Sequence, residues 1–510
     1  MTSKIWTRIA ALGFLLGVAA PRAGAQDATS SITVAFGSVQ RPVPALMFGQ
    51  NLETVNNGNG LVRPDGTFDQ GIMALLSEAR VTSLRYPGGT AADYLHWWQA
   101  VGPFSSRPQQ SQGYLNENYT PLAGPDEFIR AAIALRATSF VVANTGTGTS
   151  DEAAAFATFF ASRGFPAAFW EIGNEIYFEG ITANGLAGLP PDTYGQKVIE
   201  YAAAIRKAAP GAKVCAAGVV GPEQQSSYWN AVVLGIAGPY IDGVTLHNAY
   251  FPLYGYLPDG TVPPDAYLYT AMLASTQAVE LSLSVVEGQL ESLGVPIPIF
   301  VTEYDGIFYP NASIEDVSVT LRRNQTLSCA LFNASVLNLF LRHSRVQGAH
   351  HMAMAGSEYG SLVGVDGASQ FRNPQFYVHK EYAREAGNLV VQTTVDPQTG
   401  VFSSGPIALL SAQSNVPMLD AVATRSGDGR RYALFVVNRS LTTAVSTRVQ
   451  VDRGVPAAGT ATVLTGPTFD ARNSAQNPLL VSPVTRPVGV SASFSYRFPP
   501  YSLTILRWTH

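Results

Sequence analysis

The chain has 510 residues, a formal net charge of −4 and only 13% charged residues. That balance leaves no basic field for a nucleic-acid backbone and no polybasic patch for a membrane surface. The length points to two domains, and 46% hydrophobic content is ample for a large core. The 22 Tyr, 25 Phe and 6 Trp, beside so few charges, suit a neutral polar ligand such as a carbohydrate, although most of these rings belong in the core.

Lys4 and Arg8 precede an apolar run from Ile9 to Ala20, and Ala23-Gly24-Ala25 supplies a small-x-small cleavage site before Gln26. This is the pattern of a secretory signal peptide over residues 1–25, with a secreted or periplasmic mature protein. About 12 apolar residues fall short of the roughly 20 that span a bilayer, so a membrane span is not expected. Cys215 and Cys329 sit in apolar contexts and read as buried free thiols, although the sequence leaves open whether they pair. With no CxxC, no HExxH and no cluster at metal-ligand spacing, no metal and no cofactor are expected.

Residues 31–45 alternate like a strand with one exposed face and are assigned to a second, C-terminal domain. From Leu46 a strand-then-helix rhythm sets in. Strand one runs from Leu46 to Glu53, a helix follows over Phe68 to Ala79, and strand two runs from Val81 to Tyr86, stopped by Pro87-Gly88-Gly89. A long loop over 90–125 carries His96, Trp97 and Trp98; loops of that length are commonly functional. A helix over Asp126 to Arg136 leads to strand three, Ser139 to Asn144, and a helix over Asp151 to Ser162 leads to strand four, Phe169 to Glu175. After a helix at Pro191 to Ala209 come strand five, Lys213 to Gly218, and strand six, Ile241 to His247. Helices over Ala266 to Leu293 and Asp316 to His343 flank strand seven, Pro298 to Tyr304, and strand eight is Val346 to Met354.

Eight strands alternating with helices predict an α/β fold, a (β/α)8 TIM barrel over 46–385, with chemistry at the C-terminal strand ends. Beyond Asn388 short alternating strands and Gly/Pro/Asn turns predict an all-β sandwich formed by 31–45 plus 386–510. No GxGxxG follows a strand, so a dinucleotide site has no support.

Polar residues crowd the predicted strand ends: Glu53, Arg85, Asn144, Asn174, Glu175, His247 and Glu303. Strands four and seven both end an apolar run in a glutamate. A pair of carboxyls facing each other across a barrel mouth is what glycoside hydrolysis needs, one giving a proton and the other meeting the sugar. The bland alternative is a solvated loop residue at each end.

On Gly173-Asn174-Glu175 and Thr302-Glu303-Tyr304 the chain resembles the large clan of retaining barrel glycosidases. Arg85-Tyr86-Pro87-Gly88-Gly89, Val101-Gly102-Pro103, Ala143-Asn144-Thr145-Gly146-Thr147-Gly148, Val437-Asn438-Arg439-Ser440 and Tyr501-Ser502-Leu503-Thr504 narrow the resemblance to the α-L-arabinofuranosidases of glycoside hydrolase family 51, over nearly the whole mature chain. Three departures bear on substrate recognition. Thr90 stands where that family usually has a sugar-contacting Asn. Ala249 stands where it places a Tyr, with Tyr250 one residue later. His350-His351 replace the usual strand-eight pattern.

The resemblance implies Glu175 as general acid and then base, and Glu303 as an ionised nucleophile, about 5–5.5 Å apart in a retaining enzyme. Asn174 is read as a donor to the sugar 2-hydroxyl or as a helix cap, and Glu53 as an acceptor for sugar hydroxyls or a partner for Arg85. Arg85 is read as a brace that keeps Glu303 ionised. His247 and Tyr250 are placed against the acid and the nucleophile respectively. Thr90, Trp98 and Asn144 complete the substrate-binding set, with Trp97 or Trp98 stacking on sugar and the other in the core. Glu171, which alternates inward with Glu175, is left outside the site as a partner for a barrel cation. The expected activity is release of terminal α-L-arabinofuranosyl residues. The alternatives are another glycosidase of the clan (β-glucuronidase, β-xylosidase or endoglucanase) and a non-catalytic carbohydrate-binding protein.

Overall fold

The computed structural model describes residues 30–111, 118–177, 188–220, 223–249, 251–356, 359–453 and 458–510. The predicted signal peptide and Tyr250 lie outside them. Among the described residues no helix is long and apolar enough to cross a membrane.

Eight parallel strands close into a barrel: β1 (Leu46–Asn51), β2 (Ser83–Tyr86), β3 (Thr138–Ala143), β4 (Phe169–Ile172), β5 (Lys213–Ala217), β6 (Gly243–Leu246), β7 (Ile299–Tyr304) and β8 (Val346–Ala353), each beside its sequence neighbour, with β8 against β1. The strands read as nearly continuous buried runs because helices cover the outer face and side chains fill the inner one. Phe140, Phe169 and Phe300 plug the floor, their ring centroids 5.2 to 5.4 Å apart, with Cys215 beside them. Above that apolar layer the inward positions turn polar, which puts the charged groups at the C-terminal end.

One irregularity aims the site. Val301 pairs with Ala349 and Tyr304 with His351, so β7 carries one more residue than β8 across that interval. The bulge breaks the two-residue alternation, and both Thr302 and Glu303 therefore reach the barrel mouth.

The C-terminal domain is a nine-stranded sheet in the order Val484–Gly489, Ala458–Leu464, Ser502–Thr509, Arg431–Asn438, Leu419–Arg425, Leu389–Val395, Ser31–Pro42, Val445–Val451, Ser493–Phe498. It folds over on itself: Phe36, from the N-terminal strand, packs edge-on against Trp508 at 5.5 Å although three strands separate them in the sheet. The helix Leu327–Arg342 is wedged between barrel and sheet and is buried on every face, which is why its sequence is apolar nearly all round. Arg342 and Asn338 bind the Asp420 carboxylate, and Tyr382 stacks on Phe435 at 4.4 Å, tying the two layers together.

Several elements differ from the sequence reading. The helix expected over 266–293 is two, Asp265–Ala274 and Thr276–Ser292, separated at Ser275, whose hydroxyl donates to the Met272 carbonyl. The helix expected over 316–343 is also two, Val317–Arg323 and Leu327–Arg342, because Asn324 clamps the main chain of Phe308 through both its amide groups. The single strand expected over 488–498 divides into the two opposite edges of the sheet. Helices Glu223–Ala237 and Pro374–Glu385 were not anticipated. Cys215 and Cys329 are both free and buried.

Candidate active site

The mouth of the barrel is organised by one guanidinium. Arg85, at the end of β2, is 0% exposed. Its Nε donates to Glu171 Oε2 at 2.6 Å, and its Nη1 to Asn51 Oδ1 and to Glu303 Oε1, both at 2.9 Å. Its Nη2 donates to Asn174 Oδ1 at 2.8 Å and lies 3.4 Å from His247 Nε2. A lone buried cation would cost several kcal/mol, roughly, and here two carboxylates and two amide oxygens compensate it. The planar fork thereby fixes residues from β1, β2, β4 and β7 in one constellation.

His247, just past β6, links the carboxylates. Its Nδ1 lies in hydrogen-bond contact with Glu175 Oε1 at 2.8 Å and stands 3.6 Å from Glu303 Oε2. Its Nε2 meets Thr302 Oγ1 at 3.1 Å, and that hydroxyl donates onward to Glu171 Oε1. Burial disfavours the imidazolium, yet Glu303 and Glu175 together raise its proton affinity above that of an ordinary histidine. Glu303 is itself pushed up by burial. His247 and Arg85 pull it back down, Glu175 adds like charge, and the net direction is upward.

Glu175 follows a tight turn. Gly173 has φ +77°, and a Cβ there would stand 2.2 Å from Thr145 Oγ1, so only glycine fits. Glu175 takes φ +49°, a left-handed conformation costing a side-chain-bearing residue about 1–2 kcal/mol. Asp93 holds the turn: its carboxylate accepts from Asn174 N at 2.9 Å and from the N and Oγ1 of Thr145 at 3.2 and 3.1 Å. Burial pushes Asp93 up to about 6 despite those donors.

Glu175, His247 and Glu303 each offer an atom within 4.8 Å of the others, so oxygens of the two carboxylates face each other at no more than that separation. The trio is close enough for a cation by distance alone. The Arg85 charge on Glu303 and the raised proton affinity of His247 both oppose one.

A cleft of about 450 Å³ opens over this pair. Of the residues the sequence singled out, Glu53, Thr90, Asn174, Glu175 and Glu303 line it, and Arg85 and His247 lie beneath. Asn144 and Trp98 do not line it. Asn144 spends its amide on the turn that follows β3, accepting from the N–H groups of Thr147 and Gly148. Trp98 is 48% exposed and packs beside His96, while Trp97, stacked on Phe156, is the core member of that pair. Glu53 bonds Asn59, and the partner foreseen for it, Arg85, binds Asn51 instead. Of the departures, among the described residues only Thr90 lines the cleft. Ala249 is buried beside Tyr304, His350 bonds Ser83 inside the barrel, and His351 bonds Asn333; Met352 lines the cleft instead.

The sequence reading missed Asn51 and Asp93, and it set Glu171 outside the site, whereas Glu171 is the strongest anchor of Arg85. The inward alternation of Glu171, Gly173 and Glu175 was the available signal for it. A second cavity of about 450 Å³ lies between Glu385 and the strand Ser502–Thr509, but its carboxylate is already held by Arg384 and Arg507, so it presents no facing acid pair.

With that geometry in hand, comparison with known proteins is informative. The family model described as the α-L-arabinofuranosidase C-terminal domain matches residues 303–502. A probable α-L-arabinofuranosidase C of Aspergillus clavatus is 26% identical over 488 residues, 88% of this chain and 90% of that protein. An intracellular exo-α-(1→5)-L-arabinofuranosidase of Streptomyces lividans is 25% identical over 410 residues, 74% of this chain and 58% of that protein. The arabinose complex of an α-L-arabinofuranosidase from Thermotoga maritima shares the fold, with a TM-score of 0.78 at 23% identity over 94% of this chain and 100% of that one.

Proposed function

We propose that this chain, a glycoside hydrolase similar to the α-L-arabinofuranosidases of family 51, releases terminal α-L-arabinofuranosyl residues from plant-type polysaccharides or oligosaccharides by double displacement. The observation that carries the mechanism is that an oxygen of Glu175 and an oxygen of Glu303 lie no more than 4.8 Å apart, compatible with the roughly 5–5.5 Å between the carboxyl groups of retaining enzymes.

In the first step Glu303 attacks the anomeric carbon and forms a glycosyl-enzyme ester while Glu175 protonates the departing oxygen. In the second, Glu175 takes a proton from water, which attacks the anomeric carbon and releases the sugar and free Glu303. Arg85 and His247 supply the positive charge that keeps Glu303 able to ionise where burial opposes it. The hydrogen bond between His247 Nδ1 and Glu175 holds the acid/base in place through both steps. Because Arg85 holds Asn174 Oδ1, the amide NH2 is the group left to donate to the sugar 2-hydroxyl, a contact that strengthens as the transition state forms. Glu53 and Thr90 face the remaining hydroxyls across the cleft, and Tyr250 is assigned, from the sequence alone, to Glu303.

A panel of nitrophenyl glycosides tests the reading. Turnover of the α-L-arabinofuranoside well above that of β-xyloside, β-glucuronide and β-glucoside is expected; a preference for any of the other three refutes the assigned sugar. Secretion through residues 1–25 is part of the proposal, and a mature N-terminus near Gln26 on protein recovered outside the cytoplasm checks it.

A further inference from the structure

The cleft has two unlike walls. The ends of β1, β2 and β4 contribute Glu53, Thr90, Asn174 and Glu175, with Val55 and Ala91 as the apolar side chains among them. Met352 on β8 and the segments after β7 and β8 contribute the other side, with Tyr309, Pro310, Val317, Leu321 and Tyr359. A furanosyl ring with its hydroxyls matches the polar wall, which leaves the apolar wall to the other half of the substrate.

The apolar wall is built rather than incidental. Val317 and Leu321 stand four residues apart on the helix Val317–Arg323, hence on one face. Val317 is 38% exposed and Leu321 half-buried, so the stripe faces the cleft and not the protein interior. The flank of the helix beside that stripe is fastened down: Thr320 and Arg323 are buried, Arg323 Nε donates to Asp265 Oδ1 at 2.8 Å, and Arg323 Nη2 donates to Glu315 Oε1 at 2.9 Å. Asp316 caps the first turn through Ser318 N at 2.7 Å. Tyr309 and Tyr359 meet hydroxyl to hydroxyl at 3.3 Å, with ring planes 65° apart, and Met352 supplies a deformable thioether beside them. A helix braced by a buried guanidinium yet turning Val and Leu toward a solvent cleft is what an apolar subsite requires.

We propose that Val317, Leu321 and Met352 form an apolar acceptor site, so that among simple arabinofuranosides of equally acidic leaving groups this enzyme favours an aromatic aglycone over a small one. The inference rests on Glu175 and Glu303 being the catalytic pair of this cleft. Placing a phenyl group against the wall removes apolar surface from water on the order of 60 Å², enough for roughly a tenfold gain in kcat/KM.

Benzyl and methyl glycosides test it, since the two leaving alcohols have nearly equal acidity and differ mainly in apolar surface. The pair is assayed as α-L-arabinofuranosides, β-D-xylosides and β-D-glucosides, with wild type and with the double variant Val317→Ser, Leu321→Asn. The sugar series that turns over tests the proposed activity; the benzyl-to-methyl ratio within that series tests the subsite. A ratio near ten in wild type that falls toward one in the variant supports the proposal. A ratio near one in wild type, or one the variant leaves unchanged, overturns it. Should no series turn over, calorimetric titration of the same pairs replaces the rates, and equal or absent binding overturns it too.

Discussion

Replacing Arg85 by Met probes the centre of the site. The guanidinium Nη1 lies 2.9 Å from Glu303 Oε1, and Nε lies 2.6 Å from Glu171 Oε2, with Arg85 0% and the two carboxylates 9% and 1% exposed. Opposite charges about 4 Å apart interact by roughly 4 kcal/mol at an effective dielectric of ~20. Loss of a charge-assisted hydrogen bond, by mutational measurement, costs about 1.5–3 kcal/mol. Removal of the cation therefore raises Glu303 further beyond where burial already sets it. The sign is fixed: Arg85 favours the ionised carboxylate, so its loss makes protonation easier. A nucleophile must be ionised in the free enzyme, and the acidic limb of kcat/KM against pH reports that ionisation. In Arg85→Met the limb moves to higher pH, and activity at pH 5 falls further than at pH 7. Arg85→Lys keeps the charge but not the fork, and its limb falls between the two. Stability drops as well, by about 3–5 kcal/mol, since two buried carboxylates lose their partner. An acidic limb that stays in place, or moves to lower pH, in a folded Arg85→Met enzyme refutes the reasoning.

Other substitutions separate the remaining roles. In Glu175→Ala, substrates with acidic leaving groups such as dinitrophenol lose far less activity than alkyl glycosides, which need a proton, and the slope of log kcat against leaving-group pKa steepens. Equal losses across that series contradict the acid role. Burial raises Asp93 to about 6 in the fold against 3.8 for the free group, so folding favours its neutral form relative to the unfolded chain. Its contribution is therefore present below about pH 4 and lost as pH rises through about 6. Wild type loses roughly 3 kcal/mol relative to Asp93→Asn between those limits, measurable as diverging urea midpoints at pH 4 and pH 7. Parallel midpoints contradict a buried, destabilised carboxylate.

The repeating strand and helix pattern was readable because each barrel strand is buried on both faces, so its apolar run and its polar terminus stand out even without neighbours. Glu175 and Glu303 were readable for the same reason. What the pattern did not contain is geometry set by long-range pairing. The bulge that turns Glu303 into the mouth depends on β8, residues 346–353, and no local signal marks it. Asp93 and Asn51 act through main-chain and guanidinium contacts made only when distant strand ends converge, so neither carries a recognisable motif. Asn144 and Trp98 stand apart from the cleft lining for the converse reason: each sits at a strand end or in a long loop, but local demands claim them, a turn in one case and a ring stack in the other. The helix breaks at Ser275 and Asn324 escape periodicity because the apolar spacing continues across them.

Azide rescue of Glu303→Gly tests the facing-carboxylate mechanism most directly. With the nucleophile replaced by a space, azide enters beneath the sugar and attacks the anomeric carbon once, with Glu175 still protonating the leaving group. Restored turnover of an activated arabinofuranoside, with an arabinofuranosyl azide of inverted anomeric configuration as product, is the predicted result. Activity equal to wild type without azide, or hydrolysis with no azide adduct at any concentration, contradicts Glu303 as nucleophile and the double-displacement account with it.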